Sequence, residues 1–228
     1  MKKFVCLTVV VVLAIIALMS TAAFAGSSSK FAAQVSSVAL VPGTTSLDWT
    51  KVLSTSIKTP NKKDLLIGAS FETGLYTKTV VKSSMGALDT STAVAGIKIM
   101  VTVDGVTVSP GEVIYDKRAQ TLSAKLGGIL TSCQDLNQDG IIDILTECTF
   151  TDEEIGLILD TMAAHHFNFV AADLNTPGDH SVEVWARIDT LSQSTAGLAE
   201  ASALVGKGSL TVEEVKATNA ADGIVFLE

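Results

Sequence analysis

Apolar and polar residues alternate along most of the chain, which is the pattern of strands that bury one face. Apolar side chains recur at every second position from Leu65 to Phe71 and again from Ile97 to Val103. Asp104-Gly105 follows the second run directly, and this dipeptide between alternating runs predicts a tight hairpin. Further strands are predicted near Val35–Val41, Trp49–Ile57, Gly111–Tyr115, Thr121–Leu126, Phe167–Ala172, Ser181–Ile188 and Leu204–Val215. About nine short strands separated by turns predict a mainly β protein, a two-sheet β-sandwich that is jelly-roll-like.

One segment departs from the period of two. Between Ile155 and Met162, apolar side chains lie at the i, i+3, i+4 and i+7 positions of an amphipathic helix. Thr151 and Glu154 precede it with the spacing of a capping box. We therefore expect a helix over about residues 152–164, which together with the preceding loop makes an insertion at about 133–165.

The first 25 residues have the features of a secretory signal peptide. Lys2 and Lys3 precede an apolar run from Phe4 to Met19, and Ala23-Phe24-Ala25 is a cleavage motif with small residues at both ends. This apolar run is shorter than the about 20 residues that a membrane helix needs. We expect cleavage after residue 25, a single secreted or periplasmic domain over 26–228, and no membrane insertion after cleavage.

The acidic composition narrows the choice of partners. The chain has 16 Lys and Arg residues against 24 Asp and Glu residues, for a formal net charge of −8. Nucleic acids and anionic lipids need a basic surface that neutralises their phosphates. We therefore expect no nucleic-acid partner.

Residues 135–143 place side-chain oxygens at alternate positions around a glycine. Calcium takes about six to eight oxygen ligands, and a loop that turns sharply at glycine directs alternate side chains toward one centre. Glu147 stands one residue beyond the position at which an EF-hand loop supplies its bidentate glutamate. The expected ligands of a calcium ion are Asp135, Asn137, Asp139, the backbone carbonyl of Ile141, Asp143 and Glu147. The alternative is a solvated acidic turn without a metal.

The Asp-x-Asn-x-Asp-Gly-x-x-Asp pattern of residues 135–143 resembles the calcium loops of thrombospondin type 3 repeats and dockerins. The resemblance implies calcium binding alone, because the chain has neither a second loop nor the helix pair by which dockerins bind cohesins. Segments 179–184 and 208–214 resemble terminal strands of uncharacterised exported bacterial proteins, a resemblance that implies no function.

Cys133 and Cys148 flank the acidic loop and are the only cysteines that remain after signal cleavage, since Cys6 lies in the predicted signal peptide. In an oxidising compartment two such cysteines are expected to form a disulfide, with Cα atoms about 4.4 to 6.8 Å apart. The bridge would close a loop of 16 residues, worth about 3 kcal/mol of stability. The alternative is two free, buried thiols.

The chain has three histidines: His165, His166 and His180. The first two fall at the end of the predicted helix, where the helix dipole favours positive charge. The alternative is a hydrolytic site that joins His165 or His180 to Asp173 or Asp179. The chain contains no nucleophile motif that would support this alternative.

Trp185 is a candidate ligand contact. Val182, Val184, Ala186 and Ile188 share one face of the predicted strand 181–189, so Trp185 lies on the other face. If the first face is core, this indole is available to stack on a sugar ring or to contact a protein. The alternative is a Trp covered by neighbouring segments. Trp49 is expected in the core.

These features predict a secreted, calcium-stabilised module for binding, adhesion or extracellular assembly, without catalytic activity. Its partner would be a protein, a glycan or a second copy of the chain. The alternative is a secreted hydrolase that acts on polysaccharide with a supporting structural calcium. That enzyme would need a histidine within hydrogen-bond reach of a carboxylate at the floor of a cleft.

Overall fold

The structure is a computed structural model that describes residues 30–36, 48–60, 63–83 and 85–216. The predicted signal peptide, its cleavage site and part of the predicted strand 35–41 lie outside these residues. In chain order the strands are β1 (Phe31–Ser36), β2 (Thr50–Thr59), β3 (Lys63–Ser83), β4 (Leu88–Val103), β5 (Val106–Thr107), β6 (Val113–Lys125), β7 (Ile129–Cys133), β8 (Cys148–Thr151), β9 (Glu153–Leu174), β10 (Gly178–Ser194) and β11 (Leu198–Val215). A short helix, α1 (Ile144–Glu147), separates β7 from β8. None of the described helices is long and apolar enough to cross a membrane.

The strands form two main antiparallel sheets. The first has the order β1-β11-β3-β9, and the second has the order β2-β10-β4, with β6 and the short β5 both paired to β4. The eight long strands therefore pair from the outside of the sequence inward. The pairs are β1 with β11, β2 with β10, β3 with β9 and β4 with β6. A long antiparallel hairpin wrapped on itself gives this pairing, which confirms the predicted two-sheet sandwich and makes it a jelly roll.

The core lies between the two sheets. Alternate side chains of the central strands meet there, and those predicted to share a face at 65–71, 97–103 and 182–188 are all buried. The Asp104-Gly105 hairpin is confirmed, because both residues have the positive φ that the turn requires, 51° and 80°. Period-two patterns therefore predicted these core strands correctly.

The predicted helix at 152–164 is wrong, because these residues belong to β9. This strand pairs with β3 from Glu153, opposite Ser83, to Leu174, opposite Lys63. The apolar residues between 155 and 162 lie on both faces of an edge strand, and β3 supplies backbone partners along the whole segment. The part of the chain that leaves the sandwich is consequently the stretch from β7 to β8, and its only helix, α1, lies inside the acidic loop.

Candidate calcium loop and surrounding sites

The acidic loop is held at its base by a short hairpin. Strands β7 and β8 pair, and their end residues Cys133 and Cys148 lie opposite each other. The two cysteines form a disulfide with a Cα–Cα distance of 4.1 Å. The predicted bridge is confirmed, at a distance slightly shorter than expected. Residues 134–147 are thus tied into one closed loop.

Glu147 organises this loop from within. Its side chain is buried, with 8 % of the residue exposed. One carboxylate oxygen accepts hydrogen bonds from the backbone N–H groups of Leu136 at 3.0 Å and Asn137 at 3.3 Å. The other accepts from the backbone N–H of Asp143 at 2.8 Å. Because the carboxylate binds both ends of residues 136–143, it fixes the curvature of the loop.

The remaining loop oxygens accept hydrogen bonds from backbone groups nearby. Asp135 Oδ2 accepts from the N–H of Gly140 at 2.8 Å, and Asn137 Oδ1 accepts from the N–H of Asp139 at 3.0 Å. Asp139 Oδ1 accepts from the N–H of Ile141 at 2.8 Å. Gly140 has a φ of 82°, the left-handed conformation that glycine adopts without strain. The loop therefore makes the sharp turn that its spacing predicts.

Asp143 has a different local role. It is the N-cap of α1, and its Oδ1 accepts from the backbone N–H of Leu145 at 3.0 Å. Asparagine and aspartate favour this position because the side-chain oxygen satisfies a free N–H of the first turn. Its other carboxylate oxygen, Oδ2, accepts no hydrogen bond from the described residues.

One oxygen of the loop is buried without a partner. Asp135 Oδ1 has no hydrogen-bond partner among the described residues, although it is inaccessible to solvent. A buried carboxylate oxygen without a donor or a cation is energetically costly. No group of three or more His, Cys, Asp or Glu residues in the described part of the chain lies close enough together to hold a metal ion. Calcium binding by the loop accordingly stays a prediction, and the oxygen of Asp135 is the feature of this structure that fits it.

The loop also keeps its negative charge. Within the described ranges, no Lys or Arg forms an ion pair with Asp135, Asp139, Asp143 or Glu147. Four carboxylates in 13 residues therefore rely on backbone N–H groups and on the Asn137 amide, which donates to Asp139 Oδ2 at 3.0 Å. Such a site is electrostatically suited to a small hard cation.

His180 forms a buried pair with a carboxylate. Its Nδ1 lies 2.7 Å from Asp104 Oδ2, its Nε2 lies 3.1 Å from the carbonyl oxygen of Thr176, and 2 % of the residue is exposed. Partial burial by itself raises the pKa of Asp104, but hydrogen bonds from His180 and from the N–H of Ser181 outweigh it and lower that pKa. The carboxylate partner of His180 is thus Asp104 of the β4–β5 turn and not Asp173 or Asp179. Both ring nitrogens are occupied, so the pair holds β10 to the turn.

His165 and His166 lie in the middle of β9, so their expected place at a helix end is wrong. The His165 ring packs edge-on against Tyr115, with centroids 5.7 Å apart. Its Nε2 lies 3.4 Å from Asp116 Oδ2 without hydrogen-bond geometry. His165 also lines a shallow cavity of about 330 Å³, and Glu72 is the only acid among the described residues that line it.

His166 belongs to a hydrogen-bonded series of polar side chains that no sequence pattern predicts. Its Nδ1 lies 2.6 Å from Ser70 Oγ, and its Nε2 lies 2.8 Å from Asn168 Oδ1. Ser70 is the direct register partner of His166 across β3 and β9. A Cβ atom at Gly68 would stand 2.8 Å from the imidazole, so glycine makes room for the ring. No local motif contains both Ser70 and His166, because 96 residues separate the serine from the histidine.

Trp185 lies on the outer face of β10, as predicted. Its Nε1 donates to Thr102 Oγ1 at 3.1 Å, and Lys51 Nζ lies 5.9 Å from the ring centroid. Trp49 is half-buried, and the Arg187 Cζ atom lies 4.8 Å from the centroid of the Trp49 ring. The expected place of Trp49 in the core is therefore wrong. Both indoles contribute to a polar surface stabilised by cation–π contacts.

No family model matches the chain, and no curated protein matches it. The chain is similar, at 13 % identity, to a chain in the structure described as "Crystal structure of the T13 IBDV viral particle reveals a missing link in icosahedral viruses evolution", with a TM-score of 0.19 over 86 % of this chain and 42 % of that chain. It is also similar, at 10 % identity, to a chain in "Structure of infectious bursal disease virus Gx strain", with a TM-score of 0.16 over 82 % of this chain and 40 % of that one. The chain spans less than half the length of these two chains. Because both TM-scores are low, the jelly roll rests on the strand order alone.

Proposed function

We propose that this chain is an exported binding and assembly module whose acidic loop holds one structural calcium ion. The observation that carries the proposal is the buried, unpartnered Oδ1 of Asp135 inside a loop with calcium-ligand spacing. Residues 1–25 would direct export, and the disulfide at the base of the loop suits an oxidising compartment.

Six groups would hold the ion. Calcium would add positive charge among carboxylates that have no basic partner, and it would join the two halves of the loop. Glu147 supports this role because its carboxylate already lies beneath the loop and contacts residues at both of its ends. The ligands would be Asp135, Asn137, Asp139, the carbonyl of Ile141, Asp143 and Glu147.

A stabilising role for the ion is favoured over a catalytic one. The loop contains no histidine or hydroxyl nucleophile between Asp135 and Asp143. The polysaccharide hydrolase alternative requires two carboxylates across a cleft. The cavity beside His165 supplies one, Glu72, and the imidazole lies 3.4 Å from Asp116, beyond ordinary hydrogen-bond reach. Among the described residues the cavity thus lacks the second carboxylate that a polysaccharide hydrolase needs, and the proposed module would act through its surfaces.

Thermal unfolding with and without calcium tests the proposal. For a dissociation constant of about 0.1 to 1 mM, about 10 mM calcium should stabilise the folded chain by roughly 1.4 to 2.7 kcal/mol. For a domain of this size that corresponds to an increase in Tm of about 3 to 10 °C. Magnesium at the same concentration should have a smaller effect, because it prefers rigid octahedral sites.

Asp135→Asn should remove the calcium response, because it replaces the charged ligand with an amide of the same shape. Asp179→Asn is the matched control, since Asp179 is an exposed carboxylate of β10 outside the loop. It should keep the full response. A wild-type Tm that is equal in calcium and in chelator would exclude the site. An equal loss of response in both variants would assign the effect to general charge screening.

A further inference from the structure

The free side of β9 is unusually apolar for an exposed strand. Among the described residues, β9 is the last strand of its sheet. Ile158 is 58 % exposed and Met162 is 64 % exposed. Ile155, Leu157 and Leu159 on the opposite face of the strand are also exposed. Soluble monomers seldom leave such a contiguous apolar strip at a sheet edge uncovered.

The backbone of this edge is available for pairing. Val170 donates to the carbonyl of Ser109 at 2.9 Å and accepts from its N–H at 3.2 Å, on the side of β9 away from β3. Because backbone groups alternate along a strand, every second residue from Asn168 back to Glu154 points its N–H and C=O the same way. No hydrogen bond from the described part of the chain reaches these groups.

Apart from the carboxylates of Glu154 and Asp160, the edge lacks the features that prevent strand addition. Natural edge strands are protected by Lys, Pro or a β-bulge. Between Glu153 and Asn168 the sequence has no Lys, Arg or Pro. The pairing with β3 shows no register shift over the same residues. The inner side of β9 is meanwhile anchored, since Arg118 and Gln120 of β6 donate to the carbonyls of Leu159 and Leu157 at 3.0 and 2.9 Å.

We propose that the free edge of β9 pairs antiparallel with β9 of a second copy of the chain, joining the two four-stranded sheets into one. This inference rests on the proposed function, because it supplies the assembly module with its partner. The partner is a second copy because the strand complements itself when the twofold axis passes through Thr161.

The register explains that complementarity. With the axis at Thr161, the two threonines face each other, and Asp160 faces Met162 of the second copy. Ile158 then faces Ala164, while Glu154 faces Asn168. No like charges are opposed in this register, whereas an axis at Asp160 would oppose two carboxylates, which is destabilising. On the other face Ile155, Leu157 and Leu159 would contact Phe167, His165 and Ala163 of the second copy.

Mass measurement by light scattering on residues 26–228 tests the dimer. The wild type should have the mass of two chains at micromolar concentration. Ile158→Lys should be monomeric, because Lys at a sheet edge is a residue by which natural proteins prevent strand addition. Leu198→Lys is the matched control, an exposed apolar-to-Lys change on the outer face of β11, two strands away. It should stay dimeric.

Ile158→Pro separates pairing from folding. The N–H of Ile158 points to the free edge, so proline there removes no hydrogen bond to β3 and should give a monomer with nearly unchanged Tm. Thr161→Cys reports the register, since the two sulfurs would face each other and form a disulfide between copies on oxidation. Ala163→Cys, which faces Leu159, should not form one.

Several results would overturn the proposal. These are a monomeric wild type at all concentrations, a dimer that Ile158→Lys leaves intact, or a dimer in which Thr161→Cys does not cross-link. A chain that becomes dimeric only when residues 217–228 are removed would show that this tail, and not a second copy, covers the edge. Calcium binding is tested separately, because Asp135→Asn should abolish the calcium response and leave the dimer mass unchanged.

Discussion

Tyr115 gives the sharpest quantitative prediction about stability. Its side chain enters the sandwich from β6, and 8 % of the residue is exposed. The phenol oxygen accepts from the N–H of Phe71 at 2.9 Å and donates to the carbonyl of His165. Phe71 and His165 are register partners on β3 and β9. The hydroxyl therefore bridges a donor and an acceptor of the β3–β9 ladder and connects both strands to β6 of the other sheet.

Tyr115→Phe should destabilise the fold by about 1 to 3 kcal/mol at pH 7, because it leaves buried backbone groups without a partner. Urea unfolding measures this loss. Tyr76→Phe is the control, since Tyr76 is half-buried on the outer face of β3 and its hydroxyl makes no hydrogen bond with the described residues. It should change the free energy of unfolding by less than about 0.5 kcal/mol.

The same side chain predicts a pH dependence. Burial, and to a lesser extent the charge of Asp116, raises the pKa of Tyr115 from its ordinary 10.0 to about 12, against the opposing effect of the Phe71 N–H. The folded state thus holds the phenol proton more tightly than the unfolded state does. The resulting stability, roughly 2 to 3 kcal/mol, is fully present below pH 10 and is lost as the pH rises toward 12.

Tyr115→Phe has no phenol to ionise, so only the wild type loses this stability as the pH rises. The difference in free energy of unfolding between wild type and variant should therefore shrink between pH 10 and pH 12. Comparing the two chains cancels the titration of lysines, which affects both. A difference that stays constant over this range, or a variant as stable as the wild type at pH 7, would refute the assigned role of the phenol.

Much of the sandwich could be predicted from local sequence. A strand that buries one face needs apolar residues at alternate positions, and the central strands β3, β4 and β10 carry that pattern plainly. The disulfide was also predictable, because Cys133 and Cys148 stand alone on either side of one loop. Both inferences use information carried by neighbouring residues.

The first half of β9 could not be predicted in the same way, whereas the strand predicted at Phe167–Ala172 lies in its second half. Its first half exposes apolar residues on both faces, so no alternation marks it as a strand, and the spacing from Ile155 to Met162 imitates a helix. Its conformation is decided by β3, whose Ser83 lies opposite Glu153 and whose Phe71 lies opposite His165. Because β3 is far from β9 in sequence, the residues of β9 alone do not indicate that the segment forms a strand.

The candidate sites also differ in how far local sequence predicts them. The spacing from Asp135 to Asp143 is local and could be predicted, but the position of Glu147 depends on how α1 turns its carboxylate beneath the loop. The partners of the histidines are set by strand register. His180 meets Asp104, 76 residues away, and not the acids nearest to it in sequence.

Two further predictions concern covalent and steric constraints. Replacing Cys133 and Cys148 with serine should lower stability by about 3 kcal/mol and weaken the calcium response; an unchanged Tm for the double variant would show that the bridge adds nothing. Gly208→Ala should destabilise by about 1 to 3 kcal/mol or more, because overpacking a rigid core is costly. Its new Cβ would stand 2.2 Å from Cδ1 of the Phe71 ring, a clash that neither strand can relieve without moving. Gly156→Ala is its control, because the nearest atom there lies 3.5 Å away, so the two variants should differ clearly in urea midpoint, and equal midpoints would contradict the close approach of β11 to Phe71.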